Sequence, residues 1–582
     1  MRSLLYLNKY FYKYRLRLIA GMLFVLLTNF FNVYYPQQVG IAIDKILNLA
    51  QESKSEEMAR TALFYLGIIL LLNLLKGFFL FLMRQTIIVI SRYIEYDLKN
   101  EIYHQYQLLS TNFYRKNNTG DLVNRISEDV SRVRMYLGPA IMYSLNMVIM
   151  FAFIIYNMLK INSTLAVYVL APLPILSVII YLVSDKMNKQ SEQVQSQLSS
   201  LSTFVQETFS GIRVIKNYVR EDKVSSMFTK QSENYKTTSM KLVSINAWFF
   251  PMMLLLVGLS TILTIYIGGN EVIAGKLTNG SIATFIIYIN MLTWPVASLG
   301  WVTSLVQRAA ASQKRLNEFL SQKTEIKDGN ISITAIEHIC FKNVSFKYHN
   351  SEVWILKNVS FEINKGESIA ITGKTGSGKS TIAALLTRTY DVDEGEILIN
   401  NINIKSLNIS SFRNLLGYVP QDVFLFSDTI ANNISFGLHK VSTESIQQAA
   451  MNASIHNNII QFKNGYNTML GERGITLSGG QKQRVSIARA LIKQPNLLLL
   501  DDCLSAVDTA TEESILNNLK SLQENKITIT ISHRISSLRN ANKILVLDQQ
   551  HIIEQGNHFQ LLELKTHYHQ LYLEQLITEN AV

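Results

Sequence analysis

Two cysteines stand in 582 residues, Cys340 and Cys503, too few for a disulfide framework. Charge is scarce as well. Asp, Glu, Lys and Arg make up 17% of the chain against 48% apolar residues, an unusual balance for a soluble protein. Acidic residues are absent from positions 1–17, which carry Arg2, Lys9, Lys13, Arg15 and Arg17. A basic, acid-free segment before an apolar run is expected on the cytoplasmic side of a membrane. Its Tyr and Phe residues suit a short amphipathic helix at the interface. No cleavable signal peptide is expected, because the first apolar run follows this long basic-aromatic stretch and is itself followed by more. The net charge of +12 fits basic residues flanking membrane spans better than a nucleic-acid surface, and no nucleic-acid partner is expected.

What is present instead is a series of apolar segments, each long enough for about 30 Å of hydrocarbon. They fall near Leu18–Ile43, Thr61–Met83, Tyr136–Met158, Thr164–Val183, Ile245–Gly268 and Ile282–Val302. Pro172, Pro174, Pro251 and Pro295 lie inside them, where membrane helices tolerate proline. Six spans return the chain to the cytoplasm and exclude a soluble ATPase or a nucleic-acid enzyme. The connections 84–135 and 184–243 are long, polar and helical in pattern, whereas Gly269–Ser281 is short. Long helical loops on the inner side imply spans that continue well into the cytoplasm. Lys76 lies in the second span, where an ionisable residue either serves a function or snorkels to the interface. Asn29, Asn32, Asn146, Asn290, Trp248, Trp294 and Trp301 are candidate cavity liners, although polar residues also hold membrane helices together. After a helix over Gln307–Leu320 the composition turns polar. The expected division is a membrane domain over 1–321, a linker over 322–336 and a second domain over 337–582.

In that second domain short β-rich runs alternate with helical ones, an α/β pattern. Ser368–Thr372 reads as a strand and leads into Gly373-Lys374-Thr375-Gly376-Ser377-Gly378-Lys379-Ser380, then a helix. Strand, glycine-rich loop and helix in this order make a complete phosphate loop. The glycines let backbone N–H groups wrap phosphates, Lys379 reaches the β- and γ-phosphates, and the Ser380 hydroxyl ligates Mg²⁺. Further on, Leu477-Ser478-Gly479-Gly480-Gln481 is a small-residue turn opening a polar helix over Lys482–Lys493, a placement suited to an anion. Leu497–Leu500 is then a buried parallel strand ending in Asp501 and Asp502, at the strand end where ligands bind in open α/β sheets.

The combination of a phosphate loop, LSGGQ, LLLLDD and Ser505-Ala506-Val507-Asp508 resembles the nucleotide-binding domain of ATP-binding-cassette (ABC) transporters. The span layout resembles the six-helix membrane domain of ABC exporters. Two inner-loop stretches support this, Phe113…Gly120-Asp121-Leu122…Arg125…Asp129 and Glu207–Lys216, which by resemblance lie at the coupling helices and otherwise read as ordinary amphipathic helices. The implied fold is an all-α six-helix transmembrane domain followed by an α/β P-loop domain. The resemblance implies ATP and Mg²⁺ as cofactors, with Gly373 to Ser380 and Thr381 around the phosphates and Tyr348 stacking on adenine. Gln421 is expected to contact Mg²⁺ or the attacking water, Asp501 to hold Mg²⁺, and His533 to contact the γ-phosphate. Gly471–Gly474 resembles an exporter loop that touches the coupling helices. Leu477 to Gln481 would complete the ATP site of a second copy, with Asp508 at the interface between the two. One chain is therefore half of a transporter, and a dimer with twelve spans is required. The implied activity is ATP-driven export of amphipathic small molecules or lipids from a bacterial inner or plasma membrane, with membrane lipid around it and both the N-terminus and the motor domain cytoplasmic. An ATP-gated channel or regulator, or an importer on the same fold, is the alternative.

The family usually has Glu where this chain has Asp502. Asp carries the same charge on a side chain one methylene shorter, which retracts the carboxylate by about 1.5 Å, and misplacement of about 1 Å costs on the order of 100-fold in rate. Slow hydrolysis is expected at the site built on this chain's own phosphate loop. An intact Leu477–Gln481 beside Asp502 resembles one half of heterodimeric bacterial exporters that pair an impaired site with an active one. A heterodimer with a related Glu-bearing chain is expected, and a homodimer with two slow sites is the alternative.

Overall fold

The chain's first long helix begins at Arg15, and the basic segment before it forms two short helical turns, Arg2–Leu7 and Asn8–Lys13. This segment docks on the neighbouring helix. Lys9 pairs with Glu101 and Lys13 with Asp97, each at 2.7 Å, and the Tyr6 and Tyr10 hydroxyls both donate to Glu101. The computed structural model describes residues 2–580 except 350, 439, 523 and 524. They form two compact units, one of Met1–Leu108 with Asn117–Gln322 and one of Leu109–Lys116 with Lys323–Val582.

The first unit is helical. Among the described residues, five stretches are long and apolar enough to cross a membrane: Arg15–Gln51, Ser55–Leu108, Thr119–Ile161, Glu221–Ile273 and Asn279–Leu320. Ser55–Leu108 has 54 residues, about 80 Å of helix at 1.5 Å per residue, so it extends far beyond a hydrocarbon layer of about 30 Å. The fourth stretch expected from sequence, Thr164–Val183, is divided. Ser163–Leu170 ends at Ala171, and Pro172 opens the helix Pro172–Ser210 at a position where its missing N–H costs nothing. Neither piece is among the five. Two π-helical turns, Arg125–Asp129 and Tyr136–Ala140, interrupt the run from Thr119 to Ile161. Asp129, buried, pairs with Arg315 through Nε at 3.0 Å, tying the first inner loop to the last long helix.

Several of the candidate cavity liners make contacts within the chain. Asn29 donates to Asn146 across two helices at 2.8 Å, and Asn32 approaches the Met150 sulfur at 3.7 Å. Asn290 bonds back to the Ile286 carbonyl at 2.8 Å on its own helix. Trp294 and Trp301 both meet the Tyr143 ring, at centroid distances of 5.6 and 5.5 Å. Trp248 is exposed.

Among its described residues the second unit has ten strands: β1 His338–Phe346, β2 Leu356–Asn364, β3 Ser368–Gly373, β4 Glu394–Ile399, β5 Ile402–Asn403, β6 Leu416–Val419, β7 Leu497–Asp501, β8 Ile527–Ile531, β9 Lys543–Asp548 and β10 His551–Gly556. They make a four-stranded antiparallel sheet, β2-β1-β4-β5, and a six-stranded sheet, β10-β9-β3-β8-β7-β6. Every residue of β3 and of β7 is buried. That is why they read as unbroken apolar runs rather than alternating ones, as parallel strands covered on both faces do. β3 pairs in parallel with β8, and β8 with β7, so the C-terminal ends of the three strands lie side by side.

Residues 323–336 pack into this unit. The buried Arg388 donates to the carbonyls of Lys327 and Leu407, at 2.7 and 3.1 Å, and Ile331 bridges to Leu407. Leu109–Lys116 belongs to the same unit. Asn112 donates to Glu325 at 2.8 Å, and the Arg115 guanidinium lies 5.2 Å from the Tyr348 ring centre and 5.6 Å from that of Tyr390.

Candidate functional site

The loop after β3 turns through Gly373 to Gly378 into the helix Lys379–Leu386. Gly378 has φ +96°, and a Cβ there would lie 2.8 Å from the Ile355 carbonyl oxygen, so the turn admits glycine alone. Lys379 is folded over this loop, its ammonium donating to the carbonyls of Gly373 and Lys374 at 2.8 Å each. Burial pulls its pKa down, against the attraction of Asp502 and Asp501. The Ser377 hydroxyl is buried with no protein partner, a polar atom left for something the loop wraps.

The neighbouring strand ends complete the cleft. Ser380 donates to Asp501 Oδ1 at 3.0 Å. Burial raises the Asp501 pKa, opposed by the Ser380 hydrogen bond. Asp502 follows in the left-handed region at φ +45°, its N–H donating to the Ile531 carbonyl at 2.8 Å. Asp tolerates that conformation better than most side chains. Gln421, just past β6, donates to Asp502 Oδ2 at 3.2 Å. His533 follows β8, and its pKa is lowered by burial and then by the nearby Lys379 charge, which leaves a neutral imidazole at pH 7. Tyr348, half-buried, bonds through its hydroxyl to the Thr381 hydroxyl at 3.2 Å and meets the Phe346 and Tyr390 rings edge-on.

One cleft is thus lined by Tyr348, Thr375, Gly376, Gly378, Lys379, Ser380, Thr381, Gln421, Asp501, Asp502 and His533, with Ile355 and Ile531 as apolar wall. Gly373, Lys374 and Ser377 belong to the same loop without lining the cleft. Leu477–Gln481 and Asp508 are not part of it. The signature helix runs over Gly479–Leu491, starting earlier than its polar pattern suggests. The reason is a reciprocal cap: Ser478 Oγ accepts from the Gln481 N–H, and Gln481 Oε1 accepts from the Ser478 N–H at 3.0 Å. Asp508 caps the helix Thr509–Ser521 by accepting from the Thr511 N–H at 2.9 Å, a bond that lowers its pKa.

A hydroxyl and a carboxylate 3.0 Å apart at the mouth of a phosphate loop suit Mg²⁺, which keeps few protein ligands and takes the rest from phosphates and water. Among the described residues no group of three or more His, Cys, Asp or Glu could hold a metal.

Sequence reasoning missed Ile355, Arg115 and Tyr418. Tyr418 on β6 is held near Asp501, and burial together with that carboxylate raises its hydroxyl pKa. No local pattern marks these residues; they reach the site by strand order and by the docking of Leu109–Lys116.

A long-helix membrane unit joined to an α/β phosphate-loop unit defines an ATP-hydrolysing integral membrane transporter. Two family descriptions match the chain, the ABC transporter transmembrane region over residues 18–296 and the ABC transporter domain over 356–505. The multidrug resistance-like ATP-binding protein MdlA of Escherichia coli (strain K12) is 32% identical over 98% of this chain and 96% of its own. The ATP-dependent lipid A-core flippase of Syntrophus aciditrophicus (strain SB) is 34% identical over 87% and 84%. The solved structure of a bacterial Atm1-family ABC exporter with ATP bound is similar in fold, with a TM-score of 0.79 and 26% identity, over 96% of this chain and 99% of that one. The chain belongs to the ABC transporter family and is an ATP-driven exporter half-transporter with fused membrane and nucleotide-binding domains.

Proposed function

We propose that this chain is the slow-hydrolysing half of a heterodimeric exporter of amphipathic small molecules or lipids. The observation that carries the reading is Asp502 beside Gln421 in the phosphate-loop cleft, while an intact, capped Leu477–Gln481 lies outside that cleft. In this reading Ser380 and Asp501 hold Mg²⁺, Lys379 swings from its carbonyl partners to the β- and γ-phosphates, and adenine stacks on Tyr348. Gln421 and Asp502 orient the attacking water. The neutral His533 donates its ring N–H to the γ-phosphate. Asp502 sets its carboxylate back by about one bond length relative to Glu and slows the attack. Leu477–Gln481 completes the ATP site of a related partner that carries Glu, and Asp508 lies at that interface. ATP binding closes the two motor domains and hydrolysis lets them part.

The chain crosses the membrane six times, with Ser163–Leu170 and the apolar start of Pro172–Ser210 together making the fourth crossing. Its basic N-terminus and motor domain lie in the cytoplasm. The second inner loop leaves Val214 and Tyr218 exposed, which supports a role in pressing on the partner's motor domain. The similarity to a multidrug resistance-like protein and to a lipid A-core flippase supports the substrate class.

The test is the intact mass of the complex purified in mild detergent. A second, related chain at one-to-one supports the asymmetric pair. A clean homodimer with measurable ATPase activity refutes it.

A further inference from the structure

The C-terminal helix His567–Asn580 is not part of the nucleotide cleft, yet it reaches the backbone that carries His533. The helix is anchored at its start. The N–H groups of His567 and Tyr568 donate to the Glu554 carboxylate on β10, at 2.7 and 3.1 Å. Tyr568 is fully buried and bonds to His558 Nδ1 at 2.8 Å. Tyr572, one turn on, packs against the same small core of β9 residues and Leu538. Positions 568, 572 and 575 share one helix face at i, i+4 and i+7 spacing. Gln575 is therefore delivered to the loop after β8, and there its amide spans the histidine: Nε2 donates to the His533 carbonyl, and Oε1 accepts from the Ile535 N–H at 2.8 Å.

The residue between these two anchors is Arg534. Its guanidinium donates to the carbonyls of Ser505 and Val507, at 2.8 and 3.1 Å, and to the buried Glu512 carboxylate at 2.7 Å. Three consecutive residues thus join the C-terminal helix, the cleft and the loop that leads to Asp508. Rigid hydrogen bonding on the backbone at both sides of a functional side chain holds that side chain in one orientation.

We propose that Gln575 is a positioning residue for His533: through it the C-terminal helix sets how the cleft distinguishes ATP from ADP and, through Arg534, where the Leu504–Asp508 loop stands. The inference rests on the reading of His533 as the γ-phosphate contact. The test uses the full-length complex, with azido-ATP photolabelling scored on this chain alone and displaced by ATP or by ADP. The ratio of the two displacing concentrations reports γ-phosphate recognition without requiring turnover, and a purely structural role leaves that ratio unmoved. His533→Ala is expected to lower the preference for ATP about tenfold, as loss of a charge-assisted hydrogen bond does. Gln575→Met, which keeps the shape and removes both bonds, is expected to lower it about threefold. The double variant is expected to match His533→Ala, because the two residues act through one contact. A wild-type ratio in Gln575→Met, or additive losses in the double variant, overturns the inference while leaving the reading of His533 intact. A wild-type ratio in His533→Ala overturns both. If Gln575→Met is not recovered folded, Gln575→Glu decides. It keeps the Ile535 bond and loses the His533 bond, so a loss is expected and a wild-type ratio overturns the inference.

Discussion

Asp502→Glu isolates the chemical consequence of one methylene. In the structure the Asp502 backbone is held at φ +45° by its N–H bond to Ile531, and its carboxylate is anchored by Gln421 at 3.2 Å. The added carbon advances the carboxylate by about 1.5 Å, one C–C bond, toward the space between Ser380, Asp501 and His533. If Asp502 stands short of the attacking water by that distance, the substitution recovers on the order of 10- to 100-fold in the hydrolytic step. A cost opposes it: Glu accepts the left-handed region less readily than Asp, which removes about 1 kcal/mol of stability. That cost falls on the folded domain with or without nucleotide, so it lowers the thermal midpoint without slowing the step. The assay is vanadate-dependent trapping of labelled nucleotide on this chain within the purified complex, followed in time. Faster trapping with a slightly lower Tm is expected, and Asp502→Asn should trap more slowly than wild type. An unchanged trapping rate in Asp502→Glu refutes the geometric argument, because the carboxylate would then already stand where the water needs it.

The two signature glycines separate folding from function. A Cβ on Gly479 meets only Ala506 Cβ at an ordinary 3.6 Å, so Gly479→Ala should keep its Tm yet lose ATPase activity in the complex by blocking a partner's nucleotide; full activity would show that this surface is not a binding surface. A Cβ on Gly480 would stand 2.7 Å from the Ala506 carbonyl oxygen, so Gly480→Ala should lower Tm as well. Arg534→Ala strands the buried Glu512 carboxylate, with only the Ser536 and Ser537 hydroxyls left to it, and should cost about 3 kcal/mol by denaturant unfolding, more than Arg534→Lys. His533 titrates below its ordinary value, so the unfolded chain takes up a proton that the folded chain refuses. Its contribution to stability is therefore complete above about pH 6.5 and declines as pH falls toward the lowered value. Nucleotide-free Tm should drop over that interval, and His533→Gln should make the decline shallower; an unchanged slope would mean His533 is not the group responsible.

The amino-acid sequence alone marked the segments that line the cleft. A phosphate loop is a local object: glycines where φ turns positive, a lysine and a serine at the first helical turn, and an apolar strand before them specify the backbone within one stretch. The same holds for Leu497–Asp502, whose unbroken apolar run already implied a strand buried on both faces, and for Leu477–Gln481, although the Ser478–Gln481 cap that moves the helix start needed the structure to be seen. Apolar length likewise marked the membrane unit, and the division at Ala171–Pro172 follows from Pro172, whose missing N–H interrupts the helical hydrogen bonds. Tertiary structure decided what touches what. Strand order β3-β8-β7 brings Lys379, His533 and Asp501 together from positions far apart in the chain, and nothing in the spacing of the three segments dictates that order. Arg115 reaches Tyr348, and Gln575 reaches His533, from segments distant in the chain. Such contacts follow from packing that buries apolar surface elsewhere, so the residues that make them carry no local signature.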